Sequence, residues 1–178
     1  SKGRRSCAGC APARASIMTG LYPHTSGCLA NNVPLAEGVP TIAELFGEAG
    51  YRFAYLGKWH LGDEIFAQHG FEHWVSIEDG YRRHYGPHRD RNQNCTYYHW
   101  LKGRGFEPDV RDGEFSAFSR RMAASLPAQF TKPAFLAEET SRFIRENAGH
   151  PFGAAQDKPF VAYVNFLEPH MPFYGPLN

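Results

Sequence analysis

The stretch TIAELFGEAGYRFAYLGKWH, residues 41–60, indicates the fold class because its pattern changes midway. The apolar residues of its first part, expected to share one face of a helix, are Ile42, Leu45, Phe46 and Ala49. Thr41 and Glu44 form a capping-box pattern before them, and Gly50 stands at the expected stop. The second part is an aromatic-rich run that predicts a strand ending before Lys58. We therefore predict a helix that leads directly into a strand.

Two further segments repeat this alternation of helix and strand. Residues 132–149, KPAFLAEETSRFIRENAG, have apolar residues at helical spacing, and residues 158–166, KPFVAYVNF, form an apolar run of buried-strand length. The apolar residues of that helix are Phe135, Leu136, Phe143 and Ile144, with Gly149 as the expected stop. Residues 10–20 predict a loop that enters a short helix. The pattern predicts an α/β fold, in which sites gather at the C-terminal ends of strands.

The composition is that of an ordinary globular protein, and it argues against several functions. The 178 residues suffice for one compact domain, with 42% hydrophobic and 21% charged residues. A net charge of +1 argues against a nucleic-acid partner bound through bulk charge, and no apolar run is long enough to span a membrane. Four cysteines are too few for a disulfide framework in a chain of this size, so the composition leaves the compartment open.

Three groups of reactive side chains fall at loops or strand exits: Cys10 with Arg14, Lys58 with His60, and His170. Together they offer a thiol, two permanent cations and two imidazoles. Guanidinium and ammonium groups match the oxygens of sulfate or phosphate, and a helix that begins just after the cysteine would add backbone N–H donors. The histidines can exchange protons near neutral pH. We therefore predict a site for a small oxyanion.

Three blocks, in order along the chain, resemble the type I sulfatases of the alkaline-phosphatase-like superfamily. The run CAPAR, residues 10–14, is similar to the C-x-P-S/A-R signature of that family, and ASIMTGLYPHTSG continues its pattern. Residues 41–62 are similar to its second block, and residues 158–173, KPFVAYVNFLEPHMPF, to its third. The resemblance implies an α/β sandwich with a mostly parallel or mixed sheet flanked by helices. Residues 1–178 would form part of this catalytic domain, with a loop-rich insertion at about 80–130.

The resemblance also implies a reaction, namely the hydrolysis of a sulfate monoester. Cys10 would be oxidised to Cα-formylglycine, whose hydrate would attack the sulfur and form a covalent sulfo-enzyme intermediate. Arg14 would hold the hydrate, and Lys58 would bind the sulfate. His60 would take a proton as sulfate is eliminated, and His170 would bind the sulfate and protonate the leaving oxygen. The implied function is that of a sulfuric ester hydrolase.

The cation implied by the resemblance is Ca²⁺, with Mg²⁺ or Mn²⁺ as alternatives. Cys10, as formylglycine, is the one expected ligand in this sequence, because the Asp pair upstream and the Asp-Asn pair downstream have no counterpart here. A downstream lysine of the family is missing as well. The chain begins at Ser1 without an apolar leader and closes on a proline-rich loop. We therefore expect a portion of a larger enzyme that is inactive in isolation; the family is often exported, and some members are cytoplasmic.

Several alternatives stay open. Phosphonate monoester and phosphodiester hydrolases resemble the sulfatases and use the same modified cysteine, whereas an inactive homologue would leave Cys10 unconverted. Cys7 and Cys10 also form a CxxC pair of the kind found in redox sites. A zinc-stabilised binding module is a further alternative, because four donors of the kind that zinc binds lie close together in the sequence. These donors are His84, His88, Cys95 and His99.

The segment from Gly80 to Asp112 is polar, basic and aromatic without a period, and it predicts a long loop. Its cations and rings could line a pocket for a sulfated carbohydrate, or they could form a solvated surface. The cations are Arg82, Arg83, Arg89, Arg91, Lys102 and Arg104, and the rings are Tyr81, Tyr85, Tyr97, Tyr98 and Trp100. The expected partners are thus a sulfated small molecule or carbohydrate and the enzyme that generates formylglycine.

Overall fold

The computed structural model describes residues 9–148 and 159–170. Its helices are α1 (Cys10–Thr19), α2 (Pro23–Ser26), α3 (Ile42–Gly47), α4 (Thr96–Lys102), α5 (Arg120–Ser125) and α6 (Lys132–Asn147). Its strands are β1 (Arg52–Gly57), β2 (His73–Ser76), β3 (Val110–Asp112), β4 (Phe115–Ala117) and β5 (Phe160–Asn165). Short 3₁₀ turns occupy Arg82–His84 and Ala128–Phe130. Within this part of the chain, no helix has the length and apolar character needed to cross a membrane.

Three parallel strands form the sheet beside the predicted site, in the order β2-β1-β5. The side chains of β1 alternate between two hydrophobic clusters, because successive residues of a strand point to opposite faces. Phe53 and Tyr55 belong to the cluster that includes residues of α1, whereas Ala54 and Leu56 belong to the cluster that includes residues of α4 and α6. A parallel sheet flanked by helices confirms the predicted α/β class.

Four of the predicted elements are present with nearly the expected bounds. The helix predicted within residues 10–20 is α1, and the predicted strand after Tyr51 is β1. α6 buries three of its four predicted apolar residues and leaves Ile144 exposed; its expected stop, Gly149, lies outside the described residues. β5 is half-buried where a fully buried strand was expected, because it is the outer strand of the described sheet.

The helix predicted from residue 42 is short and faces outward. α3 has six residues, and of these only Ala43 is buried. The apolar side chains expected on a common face are exposed, with Leu45 60% and Phe46 51% exposed. The buried side of α3 is covered by the loop at Gly70, where a Cβ would lie 2.7 Å from the Glu44 amide nitrogen. The apolar face therefore does not pack into the described core.

The segment predicted as a long irregular loop contains regular structure. α4 begins at Thr96, and the β3–β4 hairpin and α5 follow it. α4 buries Tyr97 and Leu101, which share a helix face because they are four residues apart. The prediction of a long loop from Gly80 to Asp112 is therefore wrong at α4, because Tyr97 and Leu101 belong to the core. β2 is also absent from the predicted elements.

Candidate active site

Cys10 is the first residue of α1, and its side chain is half-buried. The helix start is held by a distant loop, because the Ala11 amide donates to Asn31 Oδ1 at 3.1 Å. Pro12 lies in the first turn, where its missing N–H leaves no carbonyl unpaired. Cys10 is a free thiol, and Cys7, its partner in the CxxC pattern, lies outside the described residues. The sulfur thus stands where a helix favours negative charge.

Arg14 lies one turn after Cys10 and joins it to the ends of two strands. Its Nε donates to Cys10 Sγ at 3.1 Å. Its Nη1 donates to the Lys58 carbonyl at 2.6 Å, and its Nη2 donates to Asn165 Oδ1 at 3.4 Å. One planar guanidinium therefore connects the start of α1 with the C-terminal ends of β1 and β5.

Two further side chains support this junction. Asn165 Nδ2 donates to the Lys58 carbonyl at 2.8 Å and to Tyr55 Oη at 3.0 Å. The Tyr55 hydroxyl in turn donates to the Lys58 carbonyl. That carbonyl oxygen thus accepts from Arg14, Tyr55 and Asn165, and these bonds fix the backbone where β1 ends.

Gly57 allows the C-terminal ends of β1 and β5 to lie in close contact. Its φ is 123°, in the region that favours glycine, and a Cβ there would lie 2.0 Å from the Asn165 carbonyl oxygen. The Lys58 amide donates to the same carbonyl at 3.3 Å. The chain then leaves β1 and brings the Lys58 side chain within electrostatic range of Cys10.

The Lys58 side chain is 1% exposed, and its ammonium group has two close partners. Nζ lies 3.4 Å from Glu78 Oε2 and donates to Tyr81 Oη at 3.2 Å. Glu78 also pairs with Lys132 at 3.2 Å, so two cations share this carboxylate. Burial alone would lower the pKa of Lys58, but Glu78 and Tyr81 raise it above its usual value. Lys58 is therefore a cation at neutral pH.

His60 is buried, and its φ of 61° lies in the left-handed region. Its Nε2 donates to Asn32 Oδ1 at 3.1 Å, which leaves Nδ1 with the lone pair. Among the described residues, Nδ1 has no hydrogen-bond partner. Burial and the cations of Lys58 and Arg14 lower the pKa of His60 to about 4. The ring is therefore neutral at neutral pH and can accept a proton.

Glu64 holds the turn that carries His60. Its carboxylate oxygens accept the amide of Trp59 at 2.7 Å and the amide of His60 at 2.6 Å. Burial raises the pKa of Glu64 to about 7, although the two amide bonds favour its ionised form. Trp59 itself packs edge-on against Tyr55 in the core. The buried carboxyl group thus fixes the backbone direction at His60.

His170 lies in the turn after β5, and its side chain is exposed. Its amide donates to the Leu167 carbonyl at 2.9 Å. His170 is close enough to His60 to contribute to the lowered pKa of that ring. His170 therefore lies within electrostatic range of His60.

The structure brings the five predicted site residues together at one edge of the sheet. Hydrogen bonds join Cys10 to Arg14 and Arg14 to the backbone of Lys58. Electrostatic interactions join His60 to Lys58, to Arg14 and to His170. This convergence arises because β1 and β5 are adjacent parallel strands, whose C-terminal ends meet at α1. Two permanent cations beside a half-buried thiol can bind an oxyanion; the individual catalytic roles stay predictions.

Five residues outside the predicted set contact this site: Asn31, Asn32, Glu78, Tyr81 and Asn165. Asn165 had a detectable signal, because it is a polar residue at the exit of an apolar strand, where α/β sites gather. Tyr81 packs against the His60 ring with 4.6 Å between centroids, but it was grouped with the rings of the insertion. The other three act through contacts that only the folded chain creates.

The described residues do not offer a metal site of their own. No three His, Cys, Asp or Glu side chains gather within residues 9–148 and 159–170. The zinc alternative is therefore unsupported there, and burial also raises the pKa of the Cys95 thiol, which opposes the thiolate that zinc needs. Near Cys10, the carboxyl groups of Glu64 and Glu78 are already engaged with backbone amides and with lysines.

Most cations of the insertion pair with carboxylates. The pairs are Arg82–Asp79 at 3.1 Å, Arg89–Asp63 at 2.6 Å, Lys102–Glu107 at 2.5 Å and Arg104–Glu138 at 3.0 Å. Tyr85 and Tyr97 are buried. The cations and rings of the insertion therefore do not all line one pocket, and carbohydrate binding by this segment stays a prediction.

Comparisons with known proteins bear on the family of this chain. A family model described as Sulfatase matches residues 2–177. The ulvan-active sulfatase of Formosa agariphila is 28% identical over 170 residues, which cover 92% of this chain and 26% of that protein. The arylsulfatase of Klebsiella aerogenes is 28% identical over 184 residues, which cover 93% of this chain and 34% of that protein. The chain thus spans between a quarter and about a third of the length of these relatives.

The fold has counterparts among solved structures. The phosphonate monoester hydrolase of Agrobacterium radiobacter superposes with a TM-score of 0.56 at 23% identity, covering 93% of this chain and 32% of that chain. At this identity the likeness concerns the fold, and it agrees with the predicted alkaline-phosphatase-like architecture.

Proposed function

Since the chain belongs to the sulfatase family, we propose that its Cys10 site serves the hydrolysis of a sulfate monoester. The observation that carries the proposal is the guanidinium of Arg14, which contacts Cys10 Sγ at 3.1 Å and the Lys58 carbonyl at 2.6 Å. This contact holds the half-buried thiol beside a buried ammonium group and a neutral imidazole. Such a group of cations and proton carriers stabilises charge that develops on sulfate oxygens.

The proposal includes the oxidation of Cys10 to formylglycine by a maturation enzyme. The position suits such a residue, because the side chain is half-buried at the start of α1 and receives a hydrogen bond from Arg14. The hydrate of the aldehyde would supply one hydroxyl as the nucleophile, and its second hydroxyl, once deprotonated, would expel sulfate and restore the aldehyde, a route that a thiol or a serine lacks. Arg14 would orient this group, since its two terminal nitrogens are held by the Lys58 carbonyl and by Asn165 Oδ1.

The remaining catalytic roles would belong to three side chains, those of Lys58, His60 and His170. The Lys58 ammonium would bind sulfate oxygens, and it stays charged because Glu78 and Tyr81 support its protonated form. His60 would accept a proton at Nδ1, which carries the lone pair while Nε2 is bound to Asn32. His170 would bind the sulfate and protonate the leaving oxygen, a role that its exposed position next to His60 supports.

A divalent cation, expected to be Ca²⁺ with Mg²⁺ or Mn²⁺ as alternatives, belongs to the proposal by resemblance. The residues of the described ranges do not fit it alone, since they gather no set of three ligands. The substrate we propose is a sulfated carbohydrate, in line with the ulvan-active relative, and a small sulfated molecule is the alternative.

The proposal is tested by turnover on two matched substrates, an aryl sulfate and an aryl phosphonate. We expect the protein at its natural length to prefer the sulfate, and Cys10→Ala to lose activity by about 1,000-fold or more, because a covalent nucleophile is removed. Cys28→Ala is the control, since Cys28 is a buried core residue. Unchanged turnover in Cys10→Ala would contradict the proposal. Preference for the phosphonate would favour the phosphonate or phosphodiester hydrolase instead.

A further inference from the structure

We propose that the chain carries a second anion-binding pocket beside the Cys10 site. The proposal rests on the proposed function and deepens it, because the pocket would bind a second anionic group of the same carbohydrate. Its cationic residues are Arg82, Arg83 and Arg91.

Some cations of the insertion remain available for an anionic ligand. Four of its six cations pair with carboxylates, as described above. Arg83 and Arg91 have no carboxylate partner among the described residues, and both side chains are exposed. The Arg91 guanidinium is oriented by one bond to the Tyr85 carbonyl at 3.3 Å. Two guanidinium groups are therefore available for an anionic ligand.

The side chains of Arg83 and Arg91 line a concave surface. Arg82, Arg83 and Arg91 surround a cavity of about 420 Å³ together with Asp79, Phe115 and two small residues. Three guanidinium groups and one carboxylate leave the lining with a net charge of +2. Asp79 does not repel a ligand strongly, because it is held by Arg82 at 3.1 Å and accepts the Cys95 amide at 3.3 Å. The volume is within the usual range for small-ligand sites, about 300–1,000 Å³.

Hydrogen bonds hold Arg82 in a fixed position in this lining. Its Nη1 donates to the carbonyls of Arg91 and Gln93, each at 3.0 Å, and its Nη2 donates to Asn94. Its guanidinium lies over the Phe115 ring, 4.7 Å from the centroid. Arg82 thus fixes the backbone at Arg91, so the pocket is shaped before a ligand binds.

The cationic pocket lies close in the chain to Tyr81, which accepts a hydrogen bond from Lys58 Nζ at 3.2 Å. Tyr81 and His84 line the small cleft at His60, whereas Arg82 and Arg83 line the cationic pocket. Each trans peptide spans about 3.8 Å, so the Cα atoms of Tyr81 and Arg83 are at most about 8 Å apart. In the proposed arrangement, the sulfate of a ligand would lie at Lys58 and a neighbouring charged group of the same ligand would lie at Arg83.

The chemistry of the pocket indicates a sulfate or a carboxylate on an adjacent sugar. Guanidinium groups bind both anions with paired N–H donors, which a single ammonium cannot do. We therefore infer that the substrate is an oligosaccharide with at least two anionic groups, one at Cys10 and one at Arg83 and Arg91.

The test compares the double variant Arg83→Gln/Arg91→Gln with Arg104→Gln, whose cation comes from the same segment but pairs with Glu138. Calorimetry would measure the binding of three disaccharides, with two sulfates, with one sulfate and one uronate carboxylate, and with one sulfate alone. We expect the double variant to weaken binding of the first or second disaccharide by about tenfold or more and to leave the third unchanged. The affected disaccharide identifies the second anion.

Three results would overturn the second pocket. They are an equal loss of binding affinity in Arg104→Gln, an equal loss of affinity for all three disaccharides in the double variant, and no loss of affinity in the double variant. Turnover of a small aryl sulfate should be unchanged in the double variant, because that substrate has no second anion. This measurement also separates the two proposals. An absence of aryl sulfate turnover in the unsubstituted protein counts against the proposed function, whereas the binding experiment needs no turnover.

Discussion

Arg14 shows why one residue type is required at a junction of three elements. Its guanidinium reaches Cys10 Sγ, the Lys58 carbonyl and Asn165 Oδ1 from three different nitrogens. A lysine has a single nitrogen on a flexible stem and cannot meet three acceptors in these directions. The planar guanidinium, with its N–H donors in fixed directions, therefore sets the position of the Cys10 side chain relative to β1 and β5.

We predict that Arg14→Lys keeps the positive charge but lowers turnover of an aryl sulfate by about 100-fold or more, the range seen when one preorganised donor is lost. The measurement is kcat and KM of the purified variant. Arg89→Lys is the matched control, because Arg89 pairs with Asp63 outside the site. Equal activity of Arg14→Lys and the unsubstituted protein would show that the planar guanidinium is dispensable.

His60 is the residue whose protonation should differ most from that of a free histidine. Burial and two neighbouring cations lower its pKa from 6.5 to about 4. Because the folded pKa is depressed, the unfolded chain binds the proton more readily. The stability contributed by neutral His60 is thus fully present above about pH 6.5 and is lost as the pH falls towards 4.

We predict that the His60 ring resonances in NMR spectra titrate near pH 4, with the assignment made from the spectrum of His60→Gln. The same substitution should reduce the loss of stability between pH 6.5 and 4 in denaturant unfolding. A ring that titrates near 6.5 would contradict the buried cationic environment.

At the scale of elements, the site depends on the close approach of β1 and β5. The two strands are paired in register up to Gly57 and Asn165, and the side chain of Asn165 then bonds to the Lys58 carbonyl. Gly57 has no Cβ, so the backbones can meet at this point. The strand ends and the catalytic candidates are thus positioned by the same contacts.

We predict that Gly57→Ala destabilises the fold by about 3 kcal/mol or more, since the added Cβ meets backbone at 2.0 Å and φ is positive. Urea unfolding measures the change. Gly38→Ala is the control, because a Cβ at Gly38 meets no atom within 4 Å. If the two variants were equally stable, the close contact of the strand ends would be refuted.

Helices and strands with regularly spaced apolar residues or clear stop residues could be predicted from the sequence. Elements whose buried side is set by tertiary contacts could not. α1, α6, β1 and β5 follow from apolar spacing and glycine stops. The buried side of α3 could not be predicted, because it is set by the loop at Gly70 and not by the apolar residues of the helix. α4 was overlooked because its buried pair, Tyr97 and Leu101, lies among polar and basic residues.

At the scale of the whole molecule, the core has two parts, one on each face of the sheet. Leu136 is fully buried in the cluster under α6, whereas Leu45 is 60% exposed. We predict that Leu136→Ala costs about 3 kcal/mol of unfolding free energy, and Leu45→Ala less than about 0.5 kcal/mol, both measured by urea unfolding. A large loss in Leu45→Ala would mean that the apolar face of α3 is covered.

The site is likewise only partly readable from the sequence. Cys10, Arg14, Lys58, His60 and His170 could be found because their spacing matches a family pattern. Glu78 and Tyr81 could not, since their contacts with Lys58 depend on how the insertion and the residues after β2 fold against β1. The matched relatives are also three to four times longer than this chain, so the activity of the whole protein remains a proposal.

The most direct measurement is mass spectrometry of the peptide containing residues 7–14, after expression in the native host and treatment with a hydrazide reagent. We predict an aldehyde at residue 10 that the reagent traps, while the buried Cys28 in the same sample keeps its thiol. An intact thiol at residue 10 would contradict the proposed chemistry, because sulfate could then not be released through a carbonyl hydrate.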